Sequence, residues 1–147
     1  MNDPTHQVGK SYYKSAGEIE SLIQRFESCR LKPSDMTHPA HLAISVWYLS
    51  RFSAVDGAER IRKNLIRFIR RHGLKRYNET ITLFWIKLTG RFLENVESAR
   101  PVNDLANDLI TRFGNSEVIF DYYSRNRLFS QEAQAGWAEP DLKPLDF

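Results

Sequence analysis

Residues Thr37–Phe52 read THPAHLAISVWYLSRF, an apolar segment that opens with two histidines. Thr37 is a residue type that caps helix N-termini, and Pro39 suits the first turn, where its missing N–H costs nothing. The spacing therefore predicts a helix that begins at His38 and places His38 and His41 about 60° apart on one face. Because the remainder is apolar on all sides, this helix is expected to be buried. It would then carry two titratable rings at its start.

The composition is that of a folded protein. The chain has 147 residues, of which 41% are hydrophobic and 12% aromatic, which is enough for one domain with a single core. Cys29 is the single cysteine, so no disulfide can form within the chain. No apolar run approaches the roughly 18 residues of a membrane span, and no charged and then apolar leader opens the sequence. We therefore expect a cytoplasmic protein without a membrane partner.

Helical spacing of apolar residues recurs along the rest of the chain. No segment alternates polar and apolar residues over the length of a strand. Gly90 interrupts one of the helical patterns and is predicted to mark a close helix contact or a bend. The patterns and the capping residues Asp56, Asn103, Ser116 and Ser130 predict helices over 16–30, 37–52, 56–72, 77–96, 103–113, from 116 and from 130. The predicted fold is all-α, a single compact bundle of six or seven helices over 16–147, preceded by a loose N-terminal arm over 1–15.

Four polar residues are the catalytic candidates: His38, His41, Tyr77 and Glu79. Two imidazoles and a carboxylate are ligand types for zinc or non-haem iron, but the spacing matches neither the zinc-protease motif nor the di-iron motif. Without an ion, the same groups could act as an acid and base pair or donate hydrogen bonds to a bound carbonyl. Alternatively, the histidines only cap the helix or fill the core at its start.

Aromatic residues are the candidates for the wall of a ligand pocket. Large rings supply apolar area, and the tyrosine and tryptophan rings add a few hydrogen-bonding groups. The same spacing also suits an ordinary core, because apolar stripes face inward. The substrate-binding candidates are Trp47, Asn78, Phe84, Trp85, Tyr122, Tyr123 and Trp137.

Basic residues concentrate in the third predicted helix and just after it. Eight lysines and arginines fall between residues 60 and 76, although the net charge of the chain is only +3. Such a stripe could meet nucleic acid phosphates, an anionic membrane or a charged ligand, or it could be a solvated helix face. A nucleic-acid or protein binding module is therefore an alternative to the enzyme interpretation. It ranks lower because the net charge is small and no nucleic-acid motif is visible.

The chain carries four short motifs: T-H-x-x-H-L at 37–42, Y-N-E-T-I-T at 77–82 followed by Phe84 and Trp85, Y-Y-S at 122–124, and W-A-E-P-D-L-K-P-L at 137–145. Together they resemble a family of small uncharacterised helical proteins, mostly bacterial. The resemblance covers about residues 20–145 and implies that His38, His41 and Glu79 converge on one site. Relatives commonly carry a histidine in place of Asn78. If they bind a metal ion through that third imidazole, the resemblance implies that this chain has lost the ion and kept the pocket.

A small helical protein with an aromatic pocket and no metal is similar in type to the small norbornene-forming Diels-Alderases of sordarin-type biosynthesis. The resemblance implies a cyclase of secondary metabolism that needs no cofactor and acts on a small apolar substrate. Such a substrate could carry a carboxylate, which an arginine at the rim would hold. Two alternatives stay open: a metal-dependent enzyme that uses His38, His41 and Glu79, and the binding module with the basic third helix.

Overall fold

The computed structural model describes residues 12–74, 76–97 and 99–147. Within these ranges the chain forms α-helices and short 3-10 turns and no strand, which confirms the all-α prediction. The predicted N-terminal arm lies largely outside the described residues, as does Lys75. None of the described helices combines the length and the apolarity needed to span a bilayer. The helices are α1 Ala16–Glu27, α2 His38–Arg51, α3 Ala54–Arg71, α4 Glu79–Glu94, α5 Val102–Phe113, α6 Arg125–Leu128 and α7 Gln131–Ala135.

Helix α2 is the centre of the bundle. It packs against α1, α3, α4 and α5, so nearly every face of the helix is covered. Leu42, Ala43 and Val46 are fully shielded from solvent. Burying each large apolar side chain contributes about 1.5–3 kcal/mol, and the predicted burial of the histidine helix is therefore found. Two polar rings at its start are held in place by the most enclosed helix of the fold.

Side-chain caps set several helix starts. The Thr37 hydroxyl accepts a hydrogen bond from the Ala40 N–H at 3.3 Å, and the predicted start of α2 is confirmed. The prediction that α3 begins at Asp56 is wrong, because the Ser53 hydroxyl accepts from the Asp56 N–H at 3.1 Å and the helix starts earlier. The predicted end of α3 is confirmed by Gly73, whose φ of 64° lies in the left-handed region.

The second half of the chain departs more from the predicted boundaries. Helix α5 begins at Val102 without a side-chain cap, so the predicted capping role of Asn103 is wrong. The segment Ser116–Asp121 is a 3-10 helix capped by Asn115, and the short helix α6 has no counterpart among the predictions. An added Cβ at Gly90 would meet nothing within 4 Å, which excludes the predicted close helix contact there.

Candidate functional site

A cavity of about 300 Å³ lies beside the start of α2. Its volume is at the lower end of the range of about 300–1,000 Å³ found for ligand pockets. Helices α2, α3 and α4 form one side, and the segment 116–129 forms the other. Most of the wall is apolar. The lining residues are Phe26, His38, His41, Ile44, Ser45, Ile61, Leu65, Ile81, Thr82, Trp85, Ile86, Ser116, Ile119, Phe120, Leu128 and Phe129.

Helical periodicity explains why these residues share one wall. His38, His41 and Ser45 are separated by three and four positions, so they form one stripe along α2. The same spacing of four brings Ile61 and Leu65 together on α3, and Ile81 and Trp85 on α4. Each helix thus presents one stripe to the cavity. The two imidazoles and the Ser45 hydroxyl are the polar groups of the α2 stripe.

His38 is held in place by two contacts. Its Nε2 lies 2.9 Å from the Phe113 carbonyl oxygen, and a carbonyl can only accept, so Nε2 carries the hydrogen. The ring also meets Trp85 edge to face, with 4.4 Å between the centroids. Burial lowers the pKa of His38, and the hydrogen bond to Phe113 partly opposes this shift. His38 is therefore neutral at pH 7, and it ties the start of α2 to the end of α5.

His41 differs from His38 because its ring makes no hydrogen bond to any described residue. Desolvation by burial, with a smaller contribution from His38, lowers the pKa of His41 to about 4. The ring is therefore neutral at pH 7 and offers one N–H donor and one acceptor nitrogen. Since the ring lines the cavity, both nitrogens are available to hydrogen-bond with a polar group on a bound molecule.

Glu79 and Tyr77 lie outside the cavity wall. The Arg62 guanidinium donates to both carboxylate oxygens of Glu79, at 2.7 and 2.5 Å, and the Tyr77 hydroxyl donates to the same carboxylate at 2.7 Å. The convergence of His38, His41 and Glu79 that the resemblance implied is therefore not found. No three His, Cys, Asp or Glu side chains within the described ranges come together to hold a metal ion.

Asn78 has a structural role at the start of α4. Its side-chain oxygen accepts a hydrogen bond from the Ile81 N–H at 3.0 Å. Its Nδ2 donates to the Leu128 carbonyl oxygen at 2.8 Å. The amide thus caps α4 and fastens α6 to it. Both ends of the amide are thus used by backbone groups, and Asn78 is not among the residues that line the cavity. Its predicted role in substrate binding is therefore not supported.

Of the aromatic candidates, Trp85 lines the cavity. Phe84, Tyr122 and Tyr123 pack together with Phe147 in a separate buried cluster, with centroids 5.4–6.3 Å from that of Phe84. The Tyr123 hydroxyl donates to the Ala138 carbonyl oxygen at 2.7 Å. These rings fix the C-terminal segment to α4, so they are core residues in this fold.

The two remaining tryptophans also lie away from the cavity. Trp47 packs edge to face against Tyr48, with 4.9 Å between the centroids. The Trp137 Nε1 donates to Glu139 at 3.0 Å, and the Lys87 ammonium lies 4.9 Å from its ring. Both residues are half-buried and pack against the hydrophobic core. The predicted substrate-binding roles of these two residues are therefore not supported by their positions.

Sequence reasoning missed most of the wall. Ser45 could have been found, because it follows His41 by four positions on the same stripe of α2. Thr82 and the isoleucines carry no signal that separates a cavity wall from a core. Phe120, Leu128 and Phe129 come from short segments whose positions depend on the tertiary packing.

Comparisons with known proteins add no relative. No protein-family model, curated protein or solved structure matches this chain. Evidence about function therefore comes from the cavity itself. It offers an apolar interior, two neutral imidazoles and a few hydroxyls.

Proposed function

We propose that this chain is a small-molecule enzyme that binds a small, mostly apolar substrate in the cavity and acts as a cofactor-independent cyclase of the Diels-Alder type. The observation that carries the proposal is the apolar cavity with the unpartnered, neutral ring of His41 in its wall. An apolar pocket with one or two placed polar groups is the usual form of a small-molecule site. The polar group orients the substrate, and the apolar wall supplies the affinity.

The low pKa of His41 favours a reaction without proton transfer. A general base works best when its pKa lies near the working pH, and a group with a pKa of about 4 is a weak proton acceptor at pH 7. The neutral ring can still donate its N–H to a carbonyl. In an intramolecular cycloaddition, three π bonds become one π bond and two carbon–carbon σ bonds. No proton, electron or co-reactant is exchanged, and the product is an isomer of the substrate.

The physical sources of acceleration would be positioning and polarisation. Holding two reacting ends in contact can lower a barrier by about 7–11 kcal/mol in the best cases. A preorganised donor on a developing negative charge contributes about 2.7–4 kcal/mol. A narrow cavity of about 300 Å³ would force a flexible chain to fold back on itself. His41 would donate to a carbonyl conjugated to the dienophile.

A linear trienone with its diene and enone joined by a short tether is a direct probe of this activity. Protein dialysed against chelator should accelerate its cyclisation and give unequal amounts of the two enantiomers. Ser45→Phe, which fills the cavity, should abolish both effects, whereas Ser50→Phe on the exposed side of α2 should not. His41→Leu should slow the reaction about 100-fold, the effect of losing one such donor, and His41→Gln should retain part of the rate.

Three outcomes would overturn the proposal. One is a racemic product formed at the uncatalysed rate by the wild type. Another is full activity in a folded Ser45→Phe variant, because the cavity would then be irrelevant. The third is activity lost on chelation and restored by zinc or iron, which would establish the metal-dependent alternative.

A non-catalytic binding module is the second candidate, and one surface favours it. Lys63, Arg67, Arg70 and Arg71 line a shallow groove on α3 together with Ile66. Within the described part of the chain, Arg70 and Arg71 take part in no ion pair. If this groove binds nucleic acid, the affinity for a labelled duplex should fall steeply with salt and vanish when Arg67 and Arg70 are reversed to glutamate. His41→Ala should then have no effect.

A further inference from the structure

The mouth of the cavity lies on the side of the segment 116–129. Among the lining residues, Ser116 and Phe129 are exposed, and Phe129 is 45% exposed. The Phe120 ring lies beside Phe129, with 6.3 Å between the centroids. The lining residues from α2, α3 and α4 are buried or half-buried. A bound molecule longer than the cavity would therefore extend into solvent past these two rings.

Arg125 is placed at this mouth by its contact with Phe120. Its guanidinium carbon lies 4.4 Å from the centroid of the Phe120 ring, which is part of the cavity wall. The side chain is exposed, and it has no carboxylate within ion-pair distance among the described residues. Stacking on a ring leaves the N–H donors at the edge of the guanidinium free. An unopposed positive charge therefore sits at the rim of an apolar cavity.

Other arginines stacked on aromatic rings in this protein are neutralised. Arg51, Arg60 and Arg112 lie over rings as Arg125 does. Each of them also has a carboxylate within 3.6 Å. The next arginine along α6, Arg127, pairs with Glu132 at 2.9 Å. Arg125 is thus the exception, and its position at the mouth suggests that the missing counter-ion belongs to a ligand.

We propose, on the basis of the function proposed above, that Arg125 binds an oxyanion, carboxylate or phosphate, at one end of a substrate whose apolar body fills the cavity. A guanidinium can grip such a group with two parallel hydrogen bonds. The substrate class is then an amphipathic molecule. Its apolar body lies among the isoleucine and phenylalanine side chains, a hydrogen-bond acceptor faces His41, and the anionic end stays at the rim. Arg125 is a specificity-determining residue for this class.

Displacement of a neutral fluorophore measures the contribution of the cavity to binding separately from that of its rim. N-phenyl-1-naphthylamine is bound to the protein and displaced by octanoate, octyl phosphate or octan-1-ol. In the wild type, at least one of the two anions should displace the fluorophore at about fivefold lower concentration than the alcohol, the range of a partly exposed charge pair. Whichever anion has the advantage identifies the oxyanion. This advantage should decrease with added salt.

Variants of Arg125 give the decisive comparison. Arg125→Ala should remove the advantage of the anion without changing the potency of octan-1-ol, and Arg125→Lys should retain part of it. The matched control is Arg60→Ala, whose guanidinium lies 4.2 Å from the Phe52 ring, outside the cavity wall. This control should leave all three potencies unchanged.

The possible failures are distinguishable. If neither anion outcompetes the alcohol in the wild type, or if Arg125→Ala preserves the advantage, the inference about Arg125 is overturned and the proposed function stands. If the fluorophore does not bind, or binds equally to a folded Ser45→Phe variant, the cavity is not a ligand site. The proposed function and the inference then fall together.

Discussion

Replacing Glu79 with glutamine tests whether the Arg62–Glu79 pair holds the fold or serves the chemistry. Glu79 is only 8% exposed, and the Arg62 side chain is 32% exposed. Breaking a fully buried ion pair costs about 3–5 kcal/mol, whereas an exposed pair is worth about 0.2–1 kcal/mol. The observed burial lies between these cases. We expect Glu79→Gln to lower the free energy of unfolding by about 2 kcal/mol at neutral pH.

The pH dependence gives this prediction a second signature. Burial alone would raise the pKa of Glu79, but hydrogen bonds from Arg62 and Tyr77 outweigh it, and the pKa is lowered from its ordinary value of 4.5. A lowered pKa stabilises the folded state above 4.5, and this contribution is lost as the pH falls through the folded pKa. The difference in unfolding free energy between wild type and variant should therefore shrink in acid.

The assay is urea unfolding of both proteins at neutral pH and at about pH 3. Glu94→Gln is the matched control, because Glu94 forms an exposed pair with Arg91 in the same helix and should change stability by less than about 0.5 kcal/mol. The structural interpretation predicts unchanged fluorophore binding in Glu79→Gln. A variant that keeps its stability but loses cyclisation would refute it and would restore Glu79 as a catalytic residue.

Four further substitutions test particular features of the fold. Gly90→Ala should raise the free energy of unfolding by about 1 kcal/mol, because the new Cβ meets nothing within 4 Å. Gly114→Ala should instead destabilise the protein, because its new Cβ would lie 2.5 Å from a carbonyl oxygen. Thr80→Val should cost about 2 kcal/mol in the same urea assay, because the buried hydroxyl bonds two backbone groups of the C-terminal segment, at 2.8 and 3.0 Å. For His41, the pKa is lowered from 6.5 to about 4, so the unfolded state binds more protons between these values and stability falls as the pH drops from 6.5 to 4. His41→Gln should flatten this loss, and an equally steep profile would show that other groups cause it.

The helices could be predicted from the sequence because their signals are local. Apolar spacing and the caps Thr37 and Ser130 depend on neighbours within a few residues. Two of the errors arose where two nearby residues could serve as the cap. Ser53 took the place of Asp56, and Asn115 took the place of Ser116. Helix α6 spans four residues, too few for a periodic pattern to form.

Three of the predicted site residues line the cavity: His38, His41 and Trp85. His38 and His41 share a helix, and both line the cavity as expected. Glu79 was expected beside them because of the resemblance, but its partner is set by the packing of α3 against α4. Arg62 reaches the carboxylate from α3 and forms an ion pair with it. No spacing within one segment encodes that choice of partner.

The distribution of satisfied and unsatisfied polar groups argues for a ligand at the cavity. Glu79, Asn78 and Thr80 all have protein partners, and none of them lines the cavity. Two buried atoms, Trp47 Nε1 and Thr89 Oγ1, have no hydrogen-bond partner among the described residues, and neither residue lines the cavity. Among the described residues, the His41 ring inside the cavity has no hydrogen-bond partner and the exposed Arg125 at the mouth has no counter-ion. A desolvated polar group without a partner costs about 1–3 kcal/mol, so a molecule that hydrogen-bonds to His41 would recover that cost. An anionic end on the same molecule would meet Arg125, which is why the two groups are best explained together.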